Sequence, residues 1–431
     1  MNVLVHACYI NPNKGSEFSV SWNYVLEMSK NNHLYVLVGS TTEDLGDYSA
    51  LQNVSIPNVD FIFPDTGQAF KIVNRMYHSF LHFAGAWTRY IAYYFWNKHI
   101  YRTLERDKSL LSKIDIIHFL SPVGWHEIGY LYKLGKPCIW GPVGGFTNCR
   151  SEFYKHYTNG GRKIVLKNLS NSFSALTSQH LKKAMKSYDL VIANTSDTLR
   201  FIQKHYKTQN LEYFPENSMR ITDNEIKNEA YIEKKYDNLP ENKIECIWCG
   251  SLFDGKMPLM LLDIVSQVKD KNKIHINMVG GGYLEERIRL EIERRNLSEN
   301  ITICGQLPRE QVRVYFEKAH LHILTSAYEA NTTVMFEAME ECVPSIVFDH
   351  FGMADLVKDS VTGRKIPVAD YETMCRLFAK ALDEVCEKPD LLKSWAFALH
   401  GDSKSYTAEK RVEFFEKCYQ TTVKTHGGIY E

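Results

Sequence analysis

Two glutamates, Glu329 and Glu337, stand eight positions apart in the run Ser326-Ala327-Tyr328-Glu329 to Phe336-Glu337-Ala338-Met339. An ionised carboxylate accepts on both oxygens, so each can hold the two hydroxyls of a vicinal diol. Apolar spacing predicts a helix over 332–341, with Asn331, Thr332 and Thr333 at its N-terminus. Unpaired N–H groups and the helix dipole favour a phosphate there. Eight helical residues rise about 12 Å, although Glu329 precedes the helix. Lys256 follows the strand-like run that ends in Cys249-Gly250-Ser251 and is a suitable cation. The plain alternatives are a pair of glutamates on a solvated helix and a lysine in water. Two further strand-to-helix loops follow the same rhythm, Gly280-Gly281-Gly282 and Gly305-Gln306-Leu307-Pro308. The triple glycine is not a dinucleotide fingerprint, because Glu285 stands where the third glycine belongs. Gly280 fits either close packing near a ligand or simple turn geometry.

These residues need a scaffold, and the chain supplies one twice. Short apolar runs at Asn2–Cys8, Leu34–Val38, Val59–Phe63, Ile114–Phe119, Pro137–Trp140 and Leu190–Ala193 predict strands. The rhythm restarts at Ile244–Cys249, Ile274–Val279, Ile301–Cys304, Leu321–Leu324 and Ser345–Phe348. Helical patterns at 256–268, 283–295, 309–318 and 332–341 alternate with the second set, as in parallel sheets covered on both faces. The predicted organisation is α/β: a Rossmann-like domain over 1–218, a polar linker over 219–242, a second Rossmann-like domain over 243–403, and a final amphipathic helix from 404 to 431. In such sheets ligands sit outside the carboxyl ends of the strands.

The chain's 431 residues suit two to four domains at about 100–200 residues each. Equal counts of 51 basic and 51 acidic residues argue against nucleic acid as a partner. No apolar run is long enough for a membrane span, and Val3 to Ala7 is too short and lacks the basic lead of a signal peptide. Ten scattered cysteines suit a reducing compartment. Cys246 and Cys249 fall on one predicted strand, where positions three apart face opposite ways, so they are structural thiols rather than metal ligands. No metal or other cofactor is expected.

Taken in order, Gly250-Ser251 with Lys256, Gly280 to Gly282, Gly305 to Pro308, Glu329 with Glu337, Pro344 and the loop Asp349 to Asp355 resemble the nucleotide-sugar domain of family-4 glycosyltransferases. The likeness runs over roughly 120 residues, from Gly250 to about Pro367. Pro12-Asn13-Lys14-Gly15-Ser16-Glu17 with Trp22, Asp115 to His118, and Gly141-Pro142-Val143-Gly144-Gly145 resemble a subgroup, many of whose members build bacterial surface polysaccharides. The resemblance implies a GT-B architecture, with two Rossmann-like domains facing a cleft and the C-terminal helix packing back on the first.

It further implies a retaining, metal-independent transfer from a UDP- or GDP-sugar to a glycan or polyprenyl-pyrophosphate-linked acceptor. Glu337 would hold the ribose, Glu329 the hexose hydroxyls, and Lys256 with the helix tip the diphosphate. Gly250, Ser251, Gly280, Gln306 and Leu307 would line the donor site, together with Gly15 from the first half. Gly15 would let backbone approach the diphosphate or acceptor, and Glu17, Gly144 and Gly145 would belong to the acceptor side; tight turns are the alternative for the glycines. His118 would reach the donor sugar or reacting centre, with a buried structural histidine as the alternative and His126 as a weaker rival. Ser251 departs from the family, which usually carries arginine there, so one cation of the expected pair is missing. A nucleotide-sugar epimerase of the same architecture and a non-catalytic sugar-nucleotide binder are the rival readings.

Two segments carry no acid at all. Thr66–Leu104 holds Lys71, Arg75, Arg89, Lys98 and Arg102 among eleven aromatics, including Phe80, Trp87, Tyr94, Phe95 and Trp96. Phe153–Tyr188 holds seven lysines and arginines. Phe70, Val73, Tyr77, Phe80 and Ala84 keep helical spacing. Basic, aromatic amphipathic helices suit an anionic membrane surface; the alternative is helices packed on the sheet with arginines in solvent. The expected location is cytoplasmic, with peripheral contact at the inner face of the plasma membrane.

Overall fold

A computed structural model gives the structure of residues 1–76, 86–158, 161–237, 239 and 243–426. The chain forms two compact units. The first comprises Met1–Thr147, Phe173–Glu216 and Arg411–Glu431, the second Asn148–Ser172 and Asn217–Lys410.

In the first unit the strands are β1 (Asn2–Tyr9), β2 (His33–Ser40), β3 (Val59–Ile62), β4 (Ile116–Ser121), β5 (Cys138–Val143), β6 (Leu190–Ala193) and β7 (Leu211–Tyr213). They form a parallel sheet in the order β3-β2-β1-β4-β5-β6-β7. β1 is mostly apolar because both its faces are covered, with His6 buried among its apolar residues. Val3, Val5 and Ala7 pack with Tyr24, Phe415 and Tyr419, while Leu4 and Cys8 pack with Trp96, Phe119 and Leu181 on the other side. The helix Ala408–Thr425 returns to this unit as expected. Its buried Arg411 Nε donates to Glu27 Oε2 at 2.7 Å, and Tyr419 lies in the core.

The second unit repeats the pattern with β8 (Ile244–Cys249), β9 (Ile274–Val279), β10 (Ile301–Gly305), β11 (Leu321–Leu324), β12 (Ser345–Phe348) and β13 (Gly363–Ile366). Its order, β10-β9-β8-β11-β12-β13, is again parallel. Cys246 lies in one apolar cluster and Cys249 in another, as opposite faces of β8 require. All ten cysteines are free thiols.

Three features depart from the simple pattern. β7 and β13 are short edge strands without a strong apolar run. The polar segment 219–242 contains a helix, Glu229–Asp237, held in the second unit's core by Ile232 and Tyr236; the Tyr236 hydroxyl donates toward the carbonyls of His320 at 3.2 Å and Cys342 at 2.9 Å. Residues 148–172 group with the second unit, where Phe153 stacks on His350 and Thr158 donates to Asp254.

Of the aromatic stripe in the first half, Phe70 and Trp96 are buried and Tyr94 is exposed. Tyr77, Phe80, Ala84 and the side chains of Trp87 and Arg89 lie outside the described residues. No described helix is long and apolar enough to cross a membrane.

Candidate functional site

The second sheet reverses direction between β8 and β11, which makes their carboxyl ends its topological switch point. Lys256 follows β8 and Glu329 follows β11. The two form an ion pair, and each side chain is largely buried. Burial pushes the Lys256 ammonium down to about 8, and the Cys249 sulfur works the other way.

The lysine loop is held by neighbours that the sequence reading passed over. Trp248 Nε1 donates to Thr325 Oγ1 at 2.9 Å. The same hydroxyl faces the carbonyls of Lys256 at 2.9 Å and Met257 at 3.2 Å. Met257 sits in the left-handed region at φ +50, so the chain turns sharply before Pro258 opens the next helix. The Ala327 N–H donates to the Gly255 carbonyl at 2.9 Å. Tyr283 and Thr158 both donate to Asp254. The result is a short turn, Asp254–Lys256, tied to β11 on one side and to the Tyr283 and Thr158 segments on the other.

Glu337 lies in the helix Thr333–Glu340, whose N-cap is Thr332. Its Oε1 is 3.2 Å from Arg309 Nη2. Burial raises the Glu337 carboxyl and Arg309 opposes the rise. Both Glu337 and Lys256 act on the Cys249 thiol, which burial pushes up to about 12; the glutamate adds to that shift and the lysine opposes it. The helix that carries Glu337 packs against β8 through Ala338, in one cluster with Ile247 and Cys249. On the next turn, burial and the Glu337 charge lift Glu340 to about 7. Asn331 is buried, and its carbonyl accepts from Asn217 Nδ2 at 2.5 Å.

The glycine loops are built from backbone contact. Gly280 has φ +141, and a Cβ there would fall 1.8 Å from the Gly250 carbonyl oxygen. Gly250 N–H donates to Val279 O at 3.0 Å and Gly280 N–H to Gly305 O at 2.9 Å. Gly280 is thus required by the packing of strand ends, which accounts for the glycine without a ligand. Ser251 and Gln306 are exposed at this end, and Leu307 is half-buried against Val279 and Phe316. The site thus gathers Gly250, Ser251, Lys256, Gly280, Gln306, Leu307, Glu329, Asn331, Thr332, Thr333 and Glu337 around the carboxyl ends of one sheet.

The first unit treats its candidates differently. Glu17 accepts the Val123 N–H, joining the first turn of the helix Ser16–Met28 to the loop after β4. Gly15 starts the helix Ser16–Met28, and a Cβ there would meet nothing within 4 Å. It borders an open cavity of about 490 Å³ lined by Tyr9, Lys14, Glu17, Phe18 and Glu43. Gly144 is a packing glycine, since its Cβ would meet the Asn194 amide at 2.4 Å, and Gly145 is a turn glycine at φ +85.

His118 has no exposed surface. Its Nε2 donates to the Gly141 carbonyl at 2.6 Å, so Nδ1 is the acceptor, 2.7 Å from the Tyr419 hydroxyl and 2.9 Å from that of Tyr24. Burial lowers the ring to about 4, which keeps it neutral. That geometry is the buried structural histidine rather than a group aimed at a reacting centre. His126 stacks between Trp125 and Tyr90.

Arg309 was legible only as a cation one residue beyond Pro308. Nothing in the sequence paired it with Glu337, because the contact joins two helices 28 positions apart. Thr325 carried no signal beyond following a strand.

Residues 231–396 match the family model described as glycosyl transferases group 1. The amylovoran biosynthesis glycosyltransferase AmsD of Erwinia amylovora is 29% identical over 150 residues, covering 35% of this chain and 40% of that protein. The poly(glycerol-phosphate) alpha-glucosyltransferase of Bacillus subtilis (strain 168) is 25% identical over 181 residues, covering 38% of this chain and 27% of that protein. The chain thus spans less than half the length of these curated relatives.

Among solved structures, HepE of Anabaena in complex with UDP and glucose superposes with a TM-score of 0.59 at 14% identity, covering 98% of this chain and 100% of that one. WaaG, a glycosyltransferase involved in lipopolysaccharide biosynthesis, gives a TM-score of 0.57 at 14% identity, covering 96% and 99%. At these identities the likeness is one of fold. Two parallel Rossmann-like sheets with such neighbours over the whole chain are the GT-B fold.

Proposed function

We propose that this protein is a retaining, metal-independent glycosyltransferase that moves a sugar from a UDP- or GDP-sugar to a glycan or polyprenyl-pyrophosphate-linked oligosaccharide in surface polysaccharide synthesis. The observation that carries the reading is the Lys256–Glu329 ion pair at the switch point of the second sheet, with Glu337 on the helix that packs against β8. Cleaving a sugar–phosphate bond leaves charge on the departing diphosphate, which fixed donors must meet. Lys256 supplies a cation there, and the N-terminus of the helix Thr333–Glu340 supplies backbone N–H groups. Glu329 takes the hexose hydroxyls and Glu337 the ribose diol. A diphosphate at this position would share Lys256 with Glu329, leaving a glutamate oxygen for a sugar hydroxyl.

Retention without an enzyme nucleophile implies front-face attack, in which the acceptor oxygen bonds to the anomeric carbon as the sugar–phosphate bond breaks and the leaving diphosphate takes the acceptor proton. Support comes from the family match over 231–396, the UDP in the HepE structure and the polysaccharide-related names of the relatives.

The test is product analysis with a panel of UDP- and GDP-sugars, with and without glycolipid acceptor, in the presence of a chelator. Transfer is expected only with acceptor, at an unchanged rate in chelator, with the donor's anomeric configuration kept. An epimerised donor in the absence of acceptor would establish the epimerase, and nucleotide binding without turnover the sensor. Undiminished nucleotide release by Glu329→Ala and Glu337→Ala would remove the site assignment.

A further inference from the structure

The helices Arg309–Lys318 and Thr333–Glu340 are joined by two ion pairs set one helical turn apart. Arg309 and Arg313 stand four positions apart on the first helix, and Glu337 and Glu341 four apart on the second and its C-cap, so each pair shares a face. Arg309 Nη2 lies 3.2 Å from Glu337 Oε1, and Arg313 Nε lies 3.2 Å from Glu341 Oε1. The outer rung belongs to the donor site. The inner rung has no part in the chemistry proposed above.

The two carboxylates differ in their surroundings. The Glu337 side chain is 18% exposed and that of Glu341 only 1%. The Tyr231 hydroxyl donates to Glu341 Oε2 at 2.9 Å, and Lys227 Nζ lies 3.3 Å from the same oxygen. Lys235 Nζ donates to the Glu341 carbonyl at 3.0 Å and to the Phe316 carbonyl at 3.1 Å, so one ammonium holds the C-terminal ends of both helices. Arg313 also lies 3.5 Å from Glu317 on its own helix. A sealed carboxylate is a poor source of stability, because desolvation offsets its pairing and apolar side chains of similar volume generally serve as well. What it supplies is register, since a carboxylate shared by Arg313, Tyr231 and Lys227 fits one arrangement of the helices. The apolar contact beside the rungs, Val334 and Ala338 in one cluster with Val312 and Phe316, sets no such requirement.

We infer that Arg313 and Glu341 are positioning residues for nucleotide binding: they fix the register of the two helices that presents Glu337 to the ribose, without touching the donor themselves. The inference rests on the transferase reading, since it takes Glu337 as the group that meets the ribose.

The experiment is titration of the full chain with UDP and with GDP, alongside its melting temperature. Arg313→Met with Glu341→Met and Tyr231→Phe removes the inner rung without stranding a charge or hydroxyl on it, and should melt close to the parent. Its dissociation constant for the preferred nucleotide should rise by about tenfold, the scale of a small misplacement. Arg313→Lys in the parent keeps the charge and should bind within about threefold of it. Arg309→Ala should weaken binding in the parent but add little in the apolar variant, because the outer rung is already out of register. An apolar variant that binds as the parent does would overturn the inference, and so would additive effects of the two rungs. A loss of binding that only follows a loss of melting temperature would likewise overturn it. A parent that binds neither UDP nor GDP would remove the transferase reading itself, whereas equal binding by parent and variants removes this inference alone.

Discussion

Lys256 and Glu329 form a largely buried ion pair across the switch point of the second sheet, one from the loop after β8 and the other from the loop after β11. Removing one partner strands the other charge. Lys256→Ala and Glu329→Gln should each lower kcat by about a hundredfold or more, the scale of losing a fixed donor to developing charge. Nucleotide release from the preferred donor is the measurement. Lys256→Ala should raise the dissociation constant for the free nucleoside diphosphate, whereas Glu329→Gln should act mainly on the intact nucleotide sugar. A pattern with the two reversed would exchange their assigned roles.

Arg309 tunes Glu337. Burial raises the carboxyl and Arg309 opposes the rise, so Arg309→Ala should lift it further toward neutrality. A protonated carboxyl gives up one acceptor and binds a diol less well. KM for the donor should rise by roughly tenfold in Arg309→Ala, with the defect worse as pH falls and relieved as it climbs. A KM defect independent of pH would mean that Arg309 touches the donor itself.

The hydroxyl of Thr325 positions Lys256 without approaching a substrate. Thr325→Val keeps the shape but removes the acceptor for Trp248 Nε1 and the donor to the Lys256 carbonyl. The expected cost is about 1–3 kcal/mol of stability in the second unit and about tenfold in kcat, with KM for the donor changed little. Serine at 325 should restore most of both, because it keeps the hydroxyl.

Two glycines of similar sequence context should behave oppositely. Gly280→Ala places a Cβ 1.8 Å from the Gly250 carbonyl at φ +141. Strain and overlap together should cost more than about 3 kcal/mol, seen as a large drop in melting temperature. Gly15→Ala meets nothing within 4 Å and should leave stability within about 0.5 kcal/mol of the parent. A change in acceptor KM for Gly15→Ala would then report contact with acceptor rather than a folding defect.

The contrast between those glycines shows what the sequence could reveal. The two parallel sheets were legible because β1, β8, β9, β11 and β12 are short apolar runs separated by helical periodicity, and covering a strand on both faces leaves that signature. Glu329, Glu337 and Lys256 were legible from their order along one domain. The edge strands β7 and β13 were not, because exposed strands need no apolar run. The helix Glu229–Asp237 was missed because two buried side chains, Ile232 and Tyr236, are too few to set a period. Arg309 and Thr325 act through pairings between distant segments, which no local pattern encodes. His118 showed the limit most plainly: its position at the end of a strand fits both a reacting group and a core group, and only its three ring contacts distinguish them.

Those contacts give a prediction about acid. Burial lowers His6 and His118 in the first unit to about 4, and in the second unit His320 to about 4 and His322 to about 3. The unfolded chain protonates each near 6.5, so below that pH the unfolded state binds more protons than the folded one. Stability is therefore complete above about pH 7 and is lost as pH falls from 6.5 toward 4, by up to about 1.4 kcal/mol per pH unit for each histidine. His118→Gln keeps a donor for the Gly141 carbonyl and cannot titrate, so it should cost stability at neutral pH yet flatten the acid limb of the first unit by one histidine's share. Denaturant melts at several pH values between about 7.5 and 5 would show it, and a slope unchanged from the parent would place the proton uptake on other groups.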